Sequence, residues 1–329
     1  MIDIKLLEQL CLCNGISGDE GNVRNLIINE IKDCADDIKT DNLGNLIVFK
    51  KGKKSAKSKL MVSAHMDEVG LMVTDITSDG YLKFDEVGGI DRRVLPGKRV
   101  CVGRNGLNGV IGVKPIHLTN GDEKTAVPKM NDMYIDIGAE SREDALKYVN
   151  YGDGINFEGD FKINGKTVVT KALDDRFGCY VLINLIKSEP EYDMYFTFVV
   201  QEEVGLRGAR PAAFTVNPDF ALVIESTTAA DVAEVDASHQ VCNLSKGATV
   251  TVMDRATVYD KEMISAAFEL AEKNNIAVQY KRAVAGGNDS GAIHQSRGGV
   301  RTLAVSLPSR YIHAPSTAAN LDDCESVLK

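Results

Sequence analysis

Histidines and acidic residues follow several strand-like segments of this 329-residue sequence. The segments are apolar and rich in β-branched residues, and the polar groups come at or just after their ends. These polar residues are His65 and Asp67 after KLMVSA, Asp174 and Asp175 after VVTKAL, Glu202 and Glu203 after YFTFVVQ, Glu225 after FALVI, and His313 after LAVSLPSRYI. Because ligands of open α/β sheets bind beyond the carboxyl ends of the strands, we expect these residues to share one edge.

The chemistry of this set is that of a catalytic metal site. Imidazoles mixed with carboxylates, without thiolates, suit zinc, cobalt or manganese. Five segments supply more ligands than one open tetrahedral metal can use, whereas two metals that share a carboxylate would use all five. Such a site polarises a carbonyl group and lowers the pKa of water, which is what hydrolysis requires. The sequence therefore predicts a dimetal hydrolase.

Two short motifs suggest which residues bind metal and which have other roles in the site. His65 and Asp67 would point to the same side of an extended chain. We therefore expect His65 to bind metal and Asp67 to accept a hydrogen bond from its other ring nitrogen. Glu202 and Glu203 would point to opposite sides of an extended chain, so we expect one to be a ligand and the other to face the attacking water.

The elements that must position these residues form an α/β pattern with an insertion. Strand-like runs occupy 45–50, 59–65 and 70–76, and strands and helices alternate again after Lys171. Such alternation predicts a mixed, mostly parallel sheet with helices on both faces. The region from about 77 to 165 is rich in glycine and short β runs, which favours a small β-barrel. We assign residues 1–70 and 166–329 to the α/β catalytic domain and 71–165 to the inserted barrel.

Local signals add three expectations. Ser17 and Glu20 have the spacing of a capping box, and the apolar residues that follow predict an amphipathic helix from about 19 to 35. The basic run 50–59 separates two strand-like segments and is expected to be a solvated hairpin connection. The segment 141–150 predicts a helix inside the barrel region.

Composition limits the classes of partner. With 38 basic and 47 acidic residues the formal net charge is −9, which argues against nucleic acid and anionic membranes as partners. The first residues, MIDIKLLEQL, do not have the form of a signal peptide, and no apolar run approaches the roughly 20 residues that cross a bilayer. Seven scattered cysteines without CxxC pairs indicate reduced thiols. We expect a cytoplasmic protein.

Six segments, in this order, resemble a known family: SAHMDEVG, KALDDRFG, QEEVGLRGA, VIESTTAAD, GGNDSGAIH and SRYIHAP. They resemble the tetrahedral aminopeptidases, a family of dimetal exopeptidases that includes glutamyl aminopeptidases and members labelled as cellulases. The resemblance covers essentially the whole chain. It implies a phosphorylase/hydrolase-like catalytic domain and a PDZ-like barrel that drives oligomerisation.

The resemblance also implies roles for individual residues. One metal would be held by His65, Asp174 and Glu225, and the other by Asp174, Glu203 and His313. Asp174 would bridge the two metals, and its bond to Asp175 would be a cis peptide. Glu202 would be the general base and Asp67 would orient His65. Asp231 remains a rival to Glu225 as the fifth ligand, and the GGNDSG loop, with Gly287 and Asp289, would border the site and help to hold substrate.

The resulting expectation is a metal-dependent aminopeptidase that acts on peptides with a free N-terminus. Zinc is the first candidate for its two divalent ions, with cobalt or manganese as alternatives. By resemblance the subunits would assemble as a dodecamer built from dimers. Two alternatives remain open at this point: a deacylase or deacetylase of N-acylated amino acids or peptides on the same scaffold, and a non-catalytic peptide-binding assembly protein.

Overall fold

The structure is a computed structural model that describes residues 1–329 apart from the side chain of Glu123. Its strands form an eleven-stranded mixed sheet and a closed six-stranded barrel. Numbered along the chain, the strands are β1 (Asp37–Thr40), β2 (Leu46–Lys50), β3 (Leu60–His65), β4 (Gly70–Ile76), β5 (Leu82–Val87), β6 (Arg99–Val102), β7 (Leu107–Val113), β8 (Met133–Asp136), β9 (Gly154–Phe157), β10 (Lys162–Asn164), β11 (Thr167–Thr170), β12 (Met194–Val199), β13 (Phe220–Thr228), β14 (Ala248–Val250), β15 (Val278–Tyr280), β16 (Arg301–Arg310) and β17 (Thr317–Asn320).

Helices cover both faces of the sheet, except for a short helix in the barrel. They are α1 (Ile4–Leu12), α2 (Gly21–Ile31), α3 (Arg142–Ala145), α4 (Leu173–Lys187), α5 (Ala209–Val216), α6 (Lys261–Lys273), α7 (Ser290–Ile293) and α8 (Leu321–Leu328). The exception is α3, whose buried residue Ala145 packs in the core of the barrel. Buried side chains of α1, α2, α4 and α8 share one hydrophobic core, and those of α5, α6 and α7 share another. Along β3, Val62 and Ala64 enter the first core and Met61 enters the second, as the two-residue period of a strand requires. Burial on both faces explains why the central strands are continuously apolar.

The middle of the sheet is parallel. Its four neighbouring strands, in the order β12, β3, β13 and β16, run in one direction, so their carboxyl ends meet at a single edge. Antiparallel strands extend the sheet on both sides, with β2 and β1 beyond β12, and β17, β11 and β10 beyond β16. The predicted fold class is confirmed.

The barrel closes in the order β4, β5, β8, β7, β6 and β9. Its interior is a separate apolar core that includes Leu71, Val100, Ile111 and Ile135. Closure leaves no free edge among these strands, which removes a site of unwanted strand pairing. The next strand, β10, pairs with β11 in the large sheet. The predicted division of the chain into two domains stays a prediction.

Three local expectations were right only in part. The amphipathic helix predicted from about 19 to 35 is present but spans only Gly21–Ile31, and Glu20, rather than Ser17, stands at its N-cap without a side-chain cap. The basic run does not close a hairpin, because β12 lies between β2 and β3 in the sheet. Only Arg142–Ala145 of the segment 141–150 is helical. Within the described residues, no helix has both the length and the apolar character needed to span a bilayer.

Candidate active site

Asp174 lies at the centre of the candidate site. It is the second residue of α4, which begins soon after β11, and its side chain is buried. Its two carboxylate oxygens face different histidines. Oδ1 lies 3.3 Å from Nε2 of His65 and Oδ2 lies 3.7 Å from Nε2 of His313. The Asp174–Asp175 peptide bond is cis, as the resemblance implied.

Two glutamates complete a group on each side of Asp174. Oε1 of Glu225 lies 3.4 Å from Nε2 of His65, and Oε2 of Glu203 lies 3.2 Å from Nε2 of His313. In each group of three, potential ligand atoms from all the members lie within 4.8 Å of one another. The structure thus brings together all five residues that were predicted to hold metal.

The parallel strands place these residues at one edge. His65 is the last residue of β3 and pairs in register with Val199, the last residue of β12, so Glu202 and Glu203 follow close by. His313 comes three residues after β16. Glu225 was expected just after its strand, but it lies inside β13, which continues to Thr228. A side chain can therefore reach this edge of the sheet from inside a strand that extends further than its neighbours, as well as from the residues that follow a strand.

The expectation that Glu202 and Glu203 point to opposite sides was wrong. Both carboxylates reach the same site: Oε2 of Glu202 lies 4.0 Å from Nε2 of His65, and ligand atoms of His65, Glu202 and Glu203 lie within 4.8 Å of one another. The chain is not extended here, because β12 ends at Val199 and Gln201 has a left-handed φ of 57°. A bent segment does not alternate its side chains as a strand does.

Asp67 contacts His65 differently from what the sequence suggested. Nδ1 of His65 donates to the backbone carbonyl of Asp67 at 3.0 Å, whereas the Asp67 carboxylate is 3.5 Å away. That carboxylate accepts hydrogen bonds from the backbone amides of Glu202 and Glu203, at 3.0 and 3.1 Å, and from Oγ of Ser17 at 2.6 Å. Asp67 therefore holds both the imidazole and the bent segment that carries the two glutamates.

Asp231, the rival to Glu225, is occupied elsewhere. Its two carboxylate oxygens accept hydrogen bonds from Nε and Nη2 of Arg310 at 2.7 and 2.9 Å. It also accepts from the backbone amide of Leu244. None of the histidine–carboxylate groups found among the described residues includes Asp231, whereas Glu225 belongs to one of them.

A cavity of about 580 Å³ opens over the cluster. Gly287 lines it together with its neighbours Gly286 and Asn288, so the GGNDSG loop borders the site as expected. Asp289 lies deeper, fully buried, and neither of its carboxylate oxygens has a hydrogen-bond partner in the described structure. The volume is in the range of pockets that hold a small ligand.

The cluster is strongly acidic and buried. Burial raises the pKa of Glu225 to about 7, and burial together with neighbouring carboxylates raises the pKa values of Glu202 and Glu203 well above their usual range. Burial opposes the charged form of His65, yet Glu225 and the other carboxylates around it raise its pKa well above normal. So many buried carboxylates need positive charge, and divalent cations would supply it through a matching oxygen and nitrogen donor set.

Sequence reasoning missed a buried ionic network behind the site. Nζ of Lys171 lies 2.8 Å from Oε1 of Glu68, and Nη2 of Arg176 lies 3.4 Å from the same oxygen. Arg176 also donates to four backbone carbonyls, which ties α1, the loop that follows it and the residue after β3 to α4. The available signal was the presence of Glu68, Lys171 and Arg176 inside the motifs SAHMDEVG and KALDDRFG.

The fold and the site define a hydrolase: a sheet with a parallel centre gathers histidines and carboxylates at one edge beneath an open cavity. Residues 44–329 match the sequence profile of the M42 glutamyl aminopeptidase family. A putative aminopeptidase from Acetivibrio thermocellus is 43% identical over 326 residues, covering 98% of this chain and 96% of that protein. The chain therefore belongs to the M42 family and is an aminopeptidase.

Solved structures agree with this assignment. A TET aminopeptidase from the marine sediment archaeon Thaumarchaeota archaeon SCGC AB-539-E09 superimposes with a TM-score of 0.94 at 33% identity, covering 99% of this chain and 93% of that one. A TET1 peptidase from Pyrococcus horikoshii, which can assemble into a tetrahedron or a large octahedral shell, gives a TM-score of 0.87 at 40% identity. The match covers 99% of this chain and 96% of that peptidase.

Proposed function

We propose that this aminopeptidase is metal-dependent and removes N-terminal residues from peptides with the help of two divalent ions. The observation that supports it most is the position of Asp174, whose two carboxylate oxygens each face a different histidine and glutamate pair. His65, Asp174 and Glu225 would hold one ion, and Asp174, Glu203 and His313 the other. Zinc is the first candidate, and cobalt or manganese would also accept this donor set.

The ions would polarise the peptide carbonyl and lower the pKa of the attacking water. The protein's own part in the reaction is to orient groups and move a proton. Glu202 would accept the proton from water and pass it to the leaving amine, as a general base and then a general acid. Burial raises the pKa of Glu202, which makes its carboxylate a stronger base. Asp67 would keep Glu202 in place through its backbone amide.

The two adjacent glutamates allow a matched test. Glu202→Gln should keep two equivalents of metal and lower kcat by about 10²–10⁴-fold, because it removes only the proton acceptor. Glu203→Gln should lose metal as well as activity, because it removes a ligand. Metal content by mass spectrometry and steady-state kinetics measure both effects. A Glu202→Gln enzyme with unchanged kcat would contradict this assignment.

The substrate class is tested by blocking the amine. The metal-loaded enzyme should hydrolyse aminoacyl reporters with a free N-terminus and leave their N-acetylated forms intact. The acidic cluster supports this preference, since it favours a cationic amine over a neutral amide. Cleavage of only the N-acetylated forms would indicate a deacylase or deacetylase instead. Peptide binding without turnover, in any metal, would indicate a binding protein.

We further propose that the chain forms a homo-oligomer, a dodecamer built from dimers, with the inserted barrel at its subunit contacts. The support is the similarity to a peptidase that can assemble into closed shells. The exposed side chains of Ile116 and Leu118, next to β7 of the barrel, provide apolar surface for such contacts. Sedimentation velocity at micromolar concentration should give a species of about twelve subunits, and a monomer would contradict the proposal.

A further inference from the structure

The backbone amides of the segment that carries the two active-site glutamates donate to side chains. β12 ends at Val199, and each of the next four amides, from Val200 to Glu203, donates to a side-chain oxygen. The amides of Glu202 and Glu203 donate to Asp67. The acceptors of the other two amides are Asn45 and Glu20, and the proposed chemistry gives neither of them a role.

Glu20 accepts its hydrogen bond at the bend of the segment. Oε1 of Glu20 accepts from the backbone amide of Gln201 at 3.1 Å and from that of Gly18 at 2.7 Å. The side chain is buried. Burial raises the pKa of Glu20, and hydrogen bonds from backbone amides, including that of Gln201, act in the opposite direction. Because a buried carboxylate needs these donors, Glu20 restrains the amide of Gln201.

The backbone of Gln201 needs such a restraint. Its φ of 57° lies in the left-handed region, which residues other than glycine adopt at a cost. In an extended segment the side chains of Glu202 and Glu203 would point to opposite sides, so the bend is what brings both to one site. A hydrogen bond to a charged acceptor stabilises this unfavourable conformation.

Asn45 holds the two ends of the same bend. Its Oδ1 accepts from the amide of Val200 at 2.9 Å, and its Nδ2 donates to the carbonyl oxygen of Gly208 at 2.9 Å. Its side chain is fully buried, and Nδ2 also donates to Asp41. Since Asn45 holds both ends, a change at Glu20 should alter the course of the segment between them without unfolding it.

We infer that Glu20 is a positioning residue for the general base: its carboxylate holds the bend at Gln201 and thereby directs Glu202 toward the attacking water. The inference rests on the proposed function, in which Glu202 moves the proton. Glu20 is buried outside the lining of the active-site cavity, so it acts through the segment and not on the substrate. Ser17 and Glu20, which have the spacing of a helix-capping motif, both support the site, because Ser17 binds Asp67.

Removal of the acceptor should slow turnover without weakening substrate binding. Glu20→Met keeps the length of the side chain but has no acceptor oxygen. It should lower kcat about 10–100-fold, change KM by less than about threefold and leave the metal content at the wild-type level. Glu20→Gln keeps an acceptor oxygen, so it should lower kcat by no more than about fivefold. Steady-state kinetics on the aminoacyl p-nitroanilide that wild type cleaves fastest, and mass spectrometry of bound metal, measure these effects.

A double-mutant cycle with Glu202 separates positioning from a general loss of stability. Once Glu202→Gln has removed the proton acceptor, its direction no longer matters. Adding Glu20→Met should then lower the residual kcat by less than about threefold. Single-turnover reactions at high enzyme concentration measure this residual rate. Glu20→Asp, which withdraws the acceptor by one methylene, provides the same comparison if Glu20→Met does not fold.

Asp323 offers a matched control. It is also buried, and its carboxylate accepts from the backbone amides of Ser245 and Gly247, each at 2.6 Å. These amides belong to the loop before β14 and not to the segment that carries Glu202. Asp323→Leu should therefore lower the free energy of unfolding in urea, as Glu20→Met does, but keep kcat within about threefold of wild type.

Four results would overturn the inference. They are an unchanged kcat in Glu20→Met, an equal loss of kcat with and without Glu202, a Glu20→Gln enzyme as slow as Glu20→Met, and a loss of metal in proportion to activity. The last result would mean that Glu20 supports the metal ligands. If metal-loaded wild type failed on every free-amine reporter, or Glu202→Gln had an unchanged kcat, the proposed function itself would be rejected.

Discussion

Replacement of Asp67 by alanine should both destabilise the protein and slow its reaction. The carboxylate is fully buried and accepts three hydrogen bonds, two from the backbone amides of Glu202 and Glu203 and one from Ser17. Hydrogen bonds to a charged group contribute about 1.5–3 kcal/mol each. Removing the carboxylate also removes the cost of burying its charge, so we expect a net loss of about 3–5 kcal/mol of unfolding free energy.

The slower reaction of Asp67→Ala should result from displacement of Glu202 and Glu203. Without Asp67 the segment that carries Glu202 loses two of its anchors, and a change of this kind behind a metal site costs about 10–100-fold in activity or metal affinity. Asp67→Asn keeps the shape of the side chain and one acceptor oxygen, so it should lower stability and activity less than Asp67→Ala does. Ser17→Ala removes one of the three donors to this carboxylate and should cost about 1.5–3 kcal/mol.

Urea unfolding followed by circular dichroism measures stability, since the chain has no tryptophan to report by fluorescence. All variants are compared at equal subunit concentration, because association changes apparent stability. Asp236→Ala is the control: this carboxylate also accepts from an amide and a hydroxyl, both of Ser238, but it is exposed. It should change stability by less than about 1 kcal/mol. An Asp67→Ala protein as stable and active as the control would refute the reasoning.

Three further outcomes follow from the structure. Glu225→Ala should lose one equivalent of metal whereas Asp231→Asn should retain both, as mass spectrometry would measure; the reverse would make Asp231 the ligand. Hydrogen bonds from Arg301 lower the pKa of Asp260 to about 2. The stability that the ionised Asp260 adds is therefore fully present above the ordinary carboxyl pKa and is lost as the pH falls toward 2. The difference in unfolding free energy between wild type and Asp260→Asn should therefore shrink over that range, and a difference that grows would contradict the ion pair. Gly178→Ala should lower the free energy of unfolding in urea by about 1–3 kcal/mol, because a Cβ there would lie 2.2 Å from a carboxylate oxygen of Asp175. Unchanged stability would show that the carboxylate can move aside.

Local sequence patterns determined the elements and the residues of the candidate site. Continuous apolar runs predicted the central strands, because strands buried on both faces need apolar side chains at every position. Polar residues that follow such runs, as at His65 and Glu203, were predicted to meet because parallel strands end at one edge. This reasoning needed only short segments and one topological rule, so it succeeded without coordinates.

Long-range pairing decided the points on which sequence reasoning was wrong. The basic run between β2 and β3 resembled a hairpin connection, but the partner that separates these strands, β12, lies more than 120 residues further along the chain. Ser17 had the local pattern of a helix cap, yet its hydroxyl binds Asp67, 50 residues away. A short stretch of sequence does not contain these distant partners, and their tertiary contacts overrode the local structural preferences.

The sequence by itself thus determined which side chains could do the chemistry, because residue type sets ligand and acid–base character. Only the tertiary structure decided how they face one another. The bend at Gln201 brings both glutamates to one site, and the ion pair with Arg310 takes Asp231 away from it. Directions of this kind depend on backbone conformation and on partners from distant segments, which residue order alone does not specify.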